Sequence, residues 1–445
     1  VRLRFLVAGL ASLVAALPAA AQNAPNVLTL AQALEIARRN NPTYQQAVNS
    51  RSRAAAQRRT AYGALLPSVN TNFGVGLREG RQQFFAGVPI GISNNSLNSS
   101  LGFSAGLDIS PGVLFGLRSA EASFDAADQS VDLADLQLRQ NVTVQFLTAL
   151  QARARVTLRD TLLASAKTQL AQAEARAKAG LATDLDVRRS QVSVGQQEVQ
   201  LLQAQSQAQV ELFRLFQQLG VEQPEGIALS AELPLEPLGM ERDALMARAM
   251  ARSPELQARR AELTSALQAH RATQTQYLPT LSFGANVSSI SQRLQGTPPP
   301  QAVSSQIGDF PFSVVRQPYT VSAGLSLPIF NGFQREQQIQ VAAANRRDAE
   351  ARVRAAELSV TATVVSQYTA LLADFRAVEI NRQNEAAARQ ALTLAEERYR
   401  LGLASLVDLV QVRAEFEQAS NDLINSIYQY HRDFVQLEAV TGPLR

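Results

Sequence analysis

The segment Leu66-Pro67-Ser68-Val69-Asn70-Thr71-Asn72-Phe73-Gly74-Val75-Gly76-Leu77 alternates strictly once past its proline. Val69, Thr71, Phe73, Val75 and Leu77 fall on one side of an extended chain, and Asn70, Asn72, Gly74 and Gly76 on the other. A period of two over about nine residues, apolar on one face and small or polar on the other, is the pattern of a lipid-facing barrel strand. A half-buried strand of a soluble sheet alternates in the same way. What separates the two readings is recurrence. Leu278-Pro279 opens a second such run, with Leu281, Phe283, Ala285 and Val287 on one face. Leu101 to Ile109 and Tyr319 to Leu327 supply two more. The chain therefore carries four strand-like runs, at about 68–77, 100–110, 280–289 and 319–328, arranged as two hairpins. Long connections, Arg78 to Ser100 and Ile290 to Pro318, are rich in Gly, Pro and Asn and read as exposed loops.

The runs belong to a larger duplication. Asn41-Pro42 and Leu66-Pro67 return as Ser253-Pro254 and Leu278-Pro279, both prolines displaced by 212 positions. Ser104-Ala-Gly-Leu107 returns as Ser322-Ala-Gly-Leu325, and Ala179-Gly-Leu-Ala-Thr-Asp-Leu-Asp186 as Leu401-Gly-Leu-Ala-Ser-Leu-Val-Asp408. Repetition on this scale means two copies of one architectural unit. The boundaries read as a first repeat over 22–219, an equatorial linker over 220–240 with Gly/Pro/Glu composition, and a second repeat over 241–445.

Between the strands lie helical stretches. Thr43 to Leu66 is one and Gly112 to Ala179 the next. In the latter, Leu138, Val142, Phe146, Leu150, Leu158, Leu162, Ala166 and Ala173 recur mostly every three or four residues, which gathers them on one face. No proline or glycine interrupts Leu117 to Ala179. Some 65 residues at about 1.5 Å each make a rod of roughly 100 Å. Gly180 breaks it, and Thr183 or Asp184 can cap a helix running to Leu219. The second copy repeats the plan with Glu255 to Tyr277, Gly332 to Arg400, a break at Gly402, and Ser405 to Leu437. A helix of about 24 residues stacked on one of about 35 nearly matches the long rod. Each copy thus predicts one continuous rod and one composite rod, joined in a hairpin at Gly180 or Gly402.

The first residues, Val1-Arg2-Leu3-Arg4, an apolar run from Phe5 to Leu17, and Pro18-Ala19-Ala20-Ala21, read as a secretory signal peptide over 1–21. There is no cysteine, hence neither disulfide nor thiolate metal site. No lysine/arginine block suggests a nucleic-acid partner. Few aromatics and no tryptophan suit long helices with small-residue seams better than a compact core. His270 and His431 have no metal-like partner spacing, and no phosphate-binding loop or nucleophile elbow occurs; neither enzyme chemistry nor a cofactor is expected.

Four strands cannot close a barrel, and an open sheet edge cannot sit in lipid. An exported chain of this kind must oligomerise. Two copies give eight strands, a barrel filled by its own side chains; three give twelve and room for a lumen. The expected fold is an α+β membrane protein in which copies of the chain close a barrel jointly, and three copies would set twelve rods side by side as a wall continuous with a 12-stranded barrel.

These residues carry a resemblance. The Ala-Leu-x-x-Ala start with Asn41-Pro42 (Ala33, Leu34 and Ala37), the Leu327-Pro-Ile-Phe-Asn-Gly332 segment and the two hairpin tips resemble the outer-membrane efflux protein family, the TolC-like channels. The resemblance implies a homotrimer in outer-membrane lipid, a helical tunnel in the periplasm, and docking to a periplasmic adaptor and an inner-membrane pump. It implies that the tips close the periplasmic entrance, with Asp408 in a three-fold ring at the constriction. A second aspartate usual in the family is here Gln411, and the arginine that usually joins the latch pair Asp186 and Tyr399 is replaced by Ala404. The tip residues Gly180, Leu181, Thr183, Gly402, Leu403 and Ser405 resemble those that meet the adaptor. Without the resemblance, Asp186 and Asp408 suit the first turn of a helix and the glycines suit helix ends. The implied function is the exit duct of a tripartite export system, with multidrug or small-molecule efflux favoured. The same fold also serves as the exit duct of type I protein secretion. A soluble periplasmic coiled-coil adaptor is the reading from another class, and it would need one hairpin flanked by compact β domains.

Overall fold

The computed structural model describes residues 27–79, 83–90, 95–180, 182–294, 315–316 and 318–442. The signal-peptide reading, Leu181 and parts of both long connections lie outside the described residues.

The first copy consists of β1 (Val27–Thr29), α1 (Leu30–Asn40), α2 (Pro42–Gly63), β2 (Ser68–Arg78), β3 (Gln83–Phe85), β4 (Val88–Ile90), β5 (Ser96–Ile109), α3 (Pro111–Lys178) and α4 (Asp184–Leu219), and β6 (Ala228–Ser230) follows in the linker. The second consists of α5 (Arg242–Arg252), α6 (Pro254–Gln274) with a 3-10 turn Thr275–Tyr277, β7 (Thr280–Leu294), β8 (Val315–Arg316), β9 (Thr320–Ser326), α7 (Gln334–Arg400) and α8 (Leu406–Thr441). α3 and α7 have 68 and 67 residues, about 100 Å of uninterrupted helix.

Local chemistry sets the breaks. Asn41 caps α2 and Ser253 caps α6, each accepting the backbone N–H three residues on with proline at the first helical position. Thr183 and Ser405 close capping boxes on α4 and α8 with Asp186 and Asp408, each box satisfying two otherwise orphaned donors. Gly220 ends α4 at φ +74°, a left-handed turn that suits glycine.

That turn also makes the composite rod. A Cβ on Gly220 would stand 2.5 Å from the Asn40 carbonyl oxygen, and the Asn41 side-chain amide donates to Gln218 O at 2.7 Å. The top of α4 thus abuts the α1–α2 junction, so α2 continues the line of α4. In the second copy Arg248 Nε donates to Thr441 O at 3.0 Å, tying α5 to the end of α8. Viewed across the chain, the lower order is α4–α3–α8–α7 and the upper order α2–α3–α6–α7, with α3 and α7 spanning both.

The short helices α1 and α5 each feed a core cluster, Ala33 and Ala37 one and Leu245 and Ala249 the other. They are separated from α2 and α6 only by one cap residue each, so periodicity blends the pairs together. Val27–Thr29 pairs in parallel with Ala228–Ser230, bringing the start of the described chain beside the linker. Leu28, Ala33, Ala37, Leu138, Val142, Phe146, Leu215 and Leu219 form one core cluster at this height. Leu245, Val360, Val364, Leu371, Tyr430 and Leu437 form its counterpart.

The four long strands make a single antiparallel sheet in the order β2-β5-β7-β9, so the two hairpins are joined edge to edge. The connections are shorter than expected. β5 starts at Ser96 and β7 reaches Leu294, β3 and β4 pair within the first connection, and β8 extends the second. Polar serine and asparagine positions such as Ser96 to Ser100 break the sequence alternation, yet the ladder carries on through them because backbone bonding needs no apolar side chain. β2 and β9 are the outer edges. Val69, Leu77, Val321 and Leu325 along them are 64–73% exposed in the single chain.

Candidate functional site

The hairpin tips gather every sequence-predicted site residue within the described chain. At the first, Gly180 takes φ +71° and its N–H donates to Ala177 O at 3.0 Å. At the second, Gly402 takes φ +77° and donates to Tyr399 O at 3.0 Å. Both follow the last turn of a helix and supply the left-handed residue that ends it. Leu403 is 67% exposed beside it.

The two carboxylates are caps. Asp186 Oδ2 accepts from the Thr183 N–H at 3.0 Å and the Thr183 hydroxyl at 2.8 Å. Asp408 Oδ2 accepts from the Ser405 N–H at 3.1 Å and the Ser405 hydroxyl at 2.8 Å. The Thr183 N–H and then its hydroxyl hold Asp186 below the usual carboxylate range. The Ser405 hydroxyl and then its N–H do the same for Asp408. Both are therefore ionised at neutral pH. Gln411, one turn beyond Asp408, donates to Glu415 Oε1 at 3.1 Å along the exposed face of α8.

Tyr399 is buried in the cluster of Leu162, Leu392, Leu406, Leu409 and Phe416 that joins the two hairpins. Burial raises its phenol, Arg176 opposes that, and Asp186 adds to it. Arg176 is the residue the sequence reading missed. It stands in the last turn of α3, and its Nη1 donates to the Tyr399 carbonyl of the other hairpin. Its guanidinium lies 4.9 Å from the centroid of the Tyr399 ring, and its Nη2 is 3.3 Å from where a Cβ on Gly402 would stand. The Arg176 charge also acts on Asp186. Asp186, Arg176, Tyr399 and Gly402 thus form one electrostatic group across the two tips. Ala404 leaves no cation at its own position, and Arg176 brings one from the opposite hairpin. In sequence Arg176 is an ordinary basic residue near a helix C-terminus, and its spacing carries no sign of a partner 223 positions away.

A second polar cluster sits at mid-height. Arg432 on α8 donates to Gln151 of α3 at 2.9 Å, and Arg155 donates to Asn425 at 2.7 Å. Gln429 donates to Asp433 Oδ2 at 2.8 Å, and Asp374 of α7 faces the same groove of about 520 Å³. Burial first, then the Asp433 carboxyl, push Asp374 up to about 7. Among the described residues no group of three or more His, Cys, Asp or Glu is placed to hold a metal ion, and no helix is long and apolar enough to cross a membrane.

The comparisons fit this geometry. The sequence profile of the family described as Outer membrane efflux protein matches residues 33–221 and again 245–443. The pyoverdine export outer membrane protein OpmQ of Pseudomonas putida is 30% identical over 407 residues, covering 88% of this chain and 81% of that protein. The outer membrane protein TolC of Escherichia coli is 23% identical over 420 residues, 93% of this chain and 82% of its own length. Among solved structures, the Campylobacter jejuni CmeC outer membrane channel aligns with a TM-score of 0.77 at 16% identity, over 93% of this chain and 85% of that one. The Vibrio cholerae outer membrane protein VceC aligns at 0.73 and 19% identity, over 94% and 97%. With rods of about 100 Å beneath a four-stranded sheet, and a profile that covers most of the chain in two blocks, the protein belongs to the outer membrane efflux protein family and resides in the cell outer membrane.

Proposed function

We propose that the chain is one third of a homotrimeric exit duct, passively conducting small molecules from a periplasmic adaptor and an inner-membrane pump to the exterior. The observation that carries this is the double incompleteness of the single chain. β2 and β9 leave unpaired edges on a sheet whose outer face is apolar. Among the rods, the outermost helices of the lower row carry exposed apolar residues, Leu185, Val192, Val199 and Phe213 on α4 and Leu358, Leu372 and Leu394 on α7. A sheet edge in lipid and an apolar stripe in water both require a neighbour. Three copies supply twelve strands and twelve rods around a common lumen.

The tips are then the periplasmic gate and the adaptor contact. Three Asp408 carboxylates, kept ionised by Ser405, would ring the constriction and favour cations. Gln411 leaves a second ring uncharged. Asp186, Tyr399 and Arg176 hold one hairpin against the other in the closed state. Gly180, Leu181, Thr183, Gly402, Leu403 and Ser405 present the surface for the adaptor. Small-molecule efflux rather than protein secretion is favoured by the kinship with a pyoverdine export protein.

Deletion in the native host tests this. Export of small dyes and antibiotics should fall and return on complementation, with the protein sarcosyl-insoluble in the outer membrane. Unchanged small-molecule export together with loss of a secreted protein would move the assignment to type I secretion.

A further inference from the structure

Inside one chain the two copies already meet along a seam. β5 pairs with β7 so that Gly106 lies opposite Gly284 and Ile109 opposite Leu281. Carried two residues further, that register sets Pro111 level with Pro279. Beneath the seam α3 packs on α6, with the Ser123 and Ser265 hydroxyls 2.9 Å apart. The open edges of the sheet present the same two kinds of surface. By repeat, β9 corresponds to β5 (Ser322 to Leu325 for Ser104 to Leu107), and β2 to β7 (Leu66-Pro67 for Leu278-Pro279).

We infer that β9 pairs antiparallel with β2 of a second copy in the register that sets Ser322 opposite Gly74 of the partner subunit. Ala323 then stands opposite Phe73 of the partner subunit, and Leu325 opposite Thr71 of the partner subunit. This rests on the trimer proposed above and adds the alignment by which it closes.

Two physical constraints act on the register besides the motif equivalence. Side-chain alternation is the first. A slip by one residue would turn Val321, Ala323 and Leu325 to the polar side of the neighbouring strand, so competing registers differ by two residues. Barrel geometry is the second. Crossing one chain along the hydrogen bonds leads from Ser68 to Gly106, Gly284 and Ser322, and then to Gly74 of the partner subunit. Each chain thus advances the ladder by about six residues. Three chains accumulate about 59 Å at about 3.3 Å per residue, against a girth of about 58 Å for twelve strands spaced about 4.8 Å. The strands tilt by about 45°, within the range of transmembrane barrels. A register two residues longer would need about 54°, and one two residues shorter about 35°. The hairpins of the two copies themselves differ by two, since Ser68 faces Gly106 whereas Thr280 faces Ser326. The experiment must therefore separate neighbouring registers.

The chain has no cysteine, so introduced thiols report cleanly. Directly opposed residues of antiparallel strands have Cα atoms about 4.5–5.5 Å apart, within disulfide reach; a pair displaced by two residues lies beyond about 7 Å. Thr71→Cys with Leu325→Cys should give covalent dimers and trimers on non-reducing gels. Thr71→Cys with Ala323→Cys or with Leu327→Cys should remain largely monomeric. Cross-linking in either displaced pair in place of the first would overturn the register and leave the trimer standing. Trimers by light scattering with no bond in any pair would overturn the strand pairing. A monomer in detergent with no bond would overturn the assembly itself.

Discussion

Replacing Arg176 with alanine removes the contact that crosses between the hairpin tips. The guanidinium donates a charged hydrogen bond to the Tyr399 carbonyl and lies 4.9 Å from the Tyr399 ring centroid. A hydrogen bond from a charged donor contributes about 1.5–3 kcal/mol and a partly exposed cation–π contact about 0.5–1 kcal/mol. Since the Tyr399 carbonyl keeps its bond from the Gly402 N–H, the lower end applies, about 2 kcal/mol per chain. That corresponds to about a 30-fold shift per chain toward separated tips. Arg176→Lys keeps the charge but loses the planar fork, so it should fall between the two. The assay is single-channel recording in planar bilayers, which reads the fraction of time in the higher conductance. The equatorial clusters lie far from the tips, so assembly and melting should not change. If Arg176→Ala formed the same oligomer and gated as the unaltered protein does, the hairpins are not held by this residue and the reasoning fails.

Asp408→Asn should keep an oxygen acceptor for the Ser405 cap while removing the charge, so cation preference in bilayers should drop with little change in melting temperature; unaltered preference would count against the constriction ring. Gly220→Ala asks a side chain to take φ +74° and to sit 2.5 Å from the Asn40 carbonyl oxygen, so the protein should lose about 2 kcal/mol or more, read as a lowered melting temperature in detergent. Asp374, pushed up to about 7 from 3.8, opposes folding once ionised. Its penalty is absent below the unfolded value, grows as pH rises through the window between them, and is complete above about 7. Solvent screening at this half-open groove reduces the effect to about 1–2 kcal/mol. Asp374→Asn should therefore flatten the decline in melting temperature between pH 5 and 8, and an unchanged slope would exclude this carboxyl as its source.

Most of the architecture was legible because it is written in local patterns. Alternation marked four strands, and the absence of proline and glycine between Leu117 and Ala179 marked a rod. Thr183 and Ser405 marked the starts of α4 and α8 within one residue. The candidate gate was legible only as positions. Asp186 and Asp408 were visible as both first-turn residues and gate candidates, and the structure shows their capping boxes in full. Arg176 escaped because its partner belongs to the other hairpin. The Asp374–Asp433 pair escaped because carboxylates 59 positions apart on different helices leave no spacing to read.

The sequence by itself determined the duplication, the period of each element and the places where the chain turns, since propensity, capping and glycine conformations act over a few residues. Only the tertiary structure decided that the two hairpins join through β5 and β7, that α2 stacks on α4 at Gly220, and that a cation from α3 reaches the Tyr399 carbonyl of the other hairpin. Those outcomes depend on how rods of about 100 Å lie side by side, which brings together residues that no short-range rule connects.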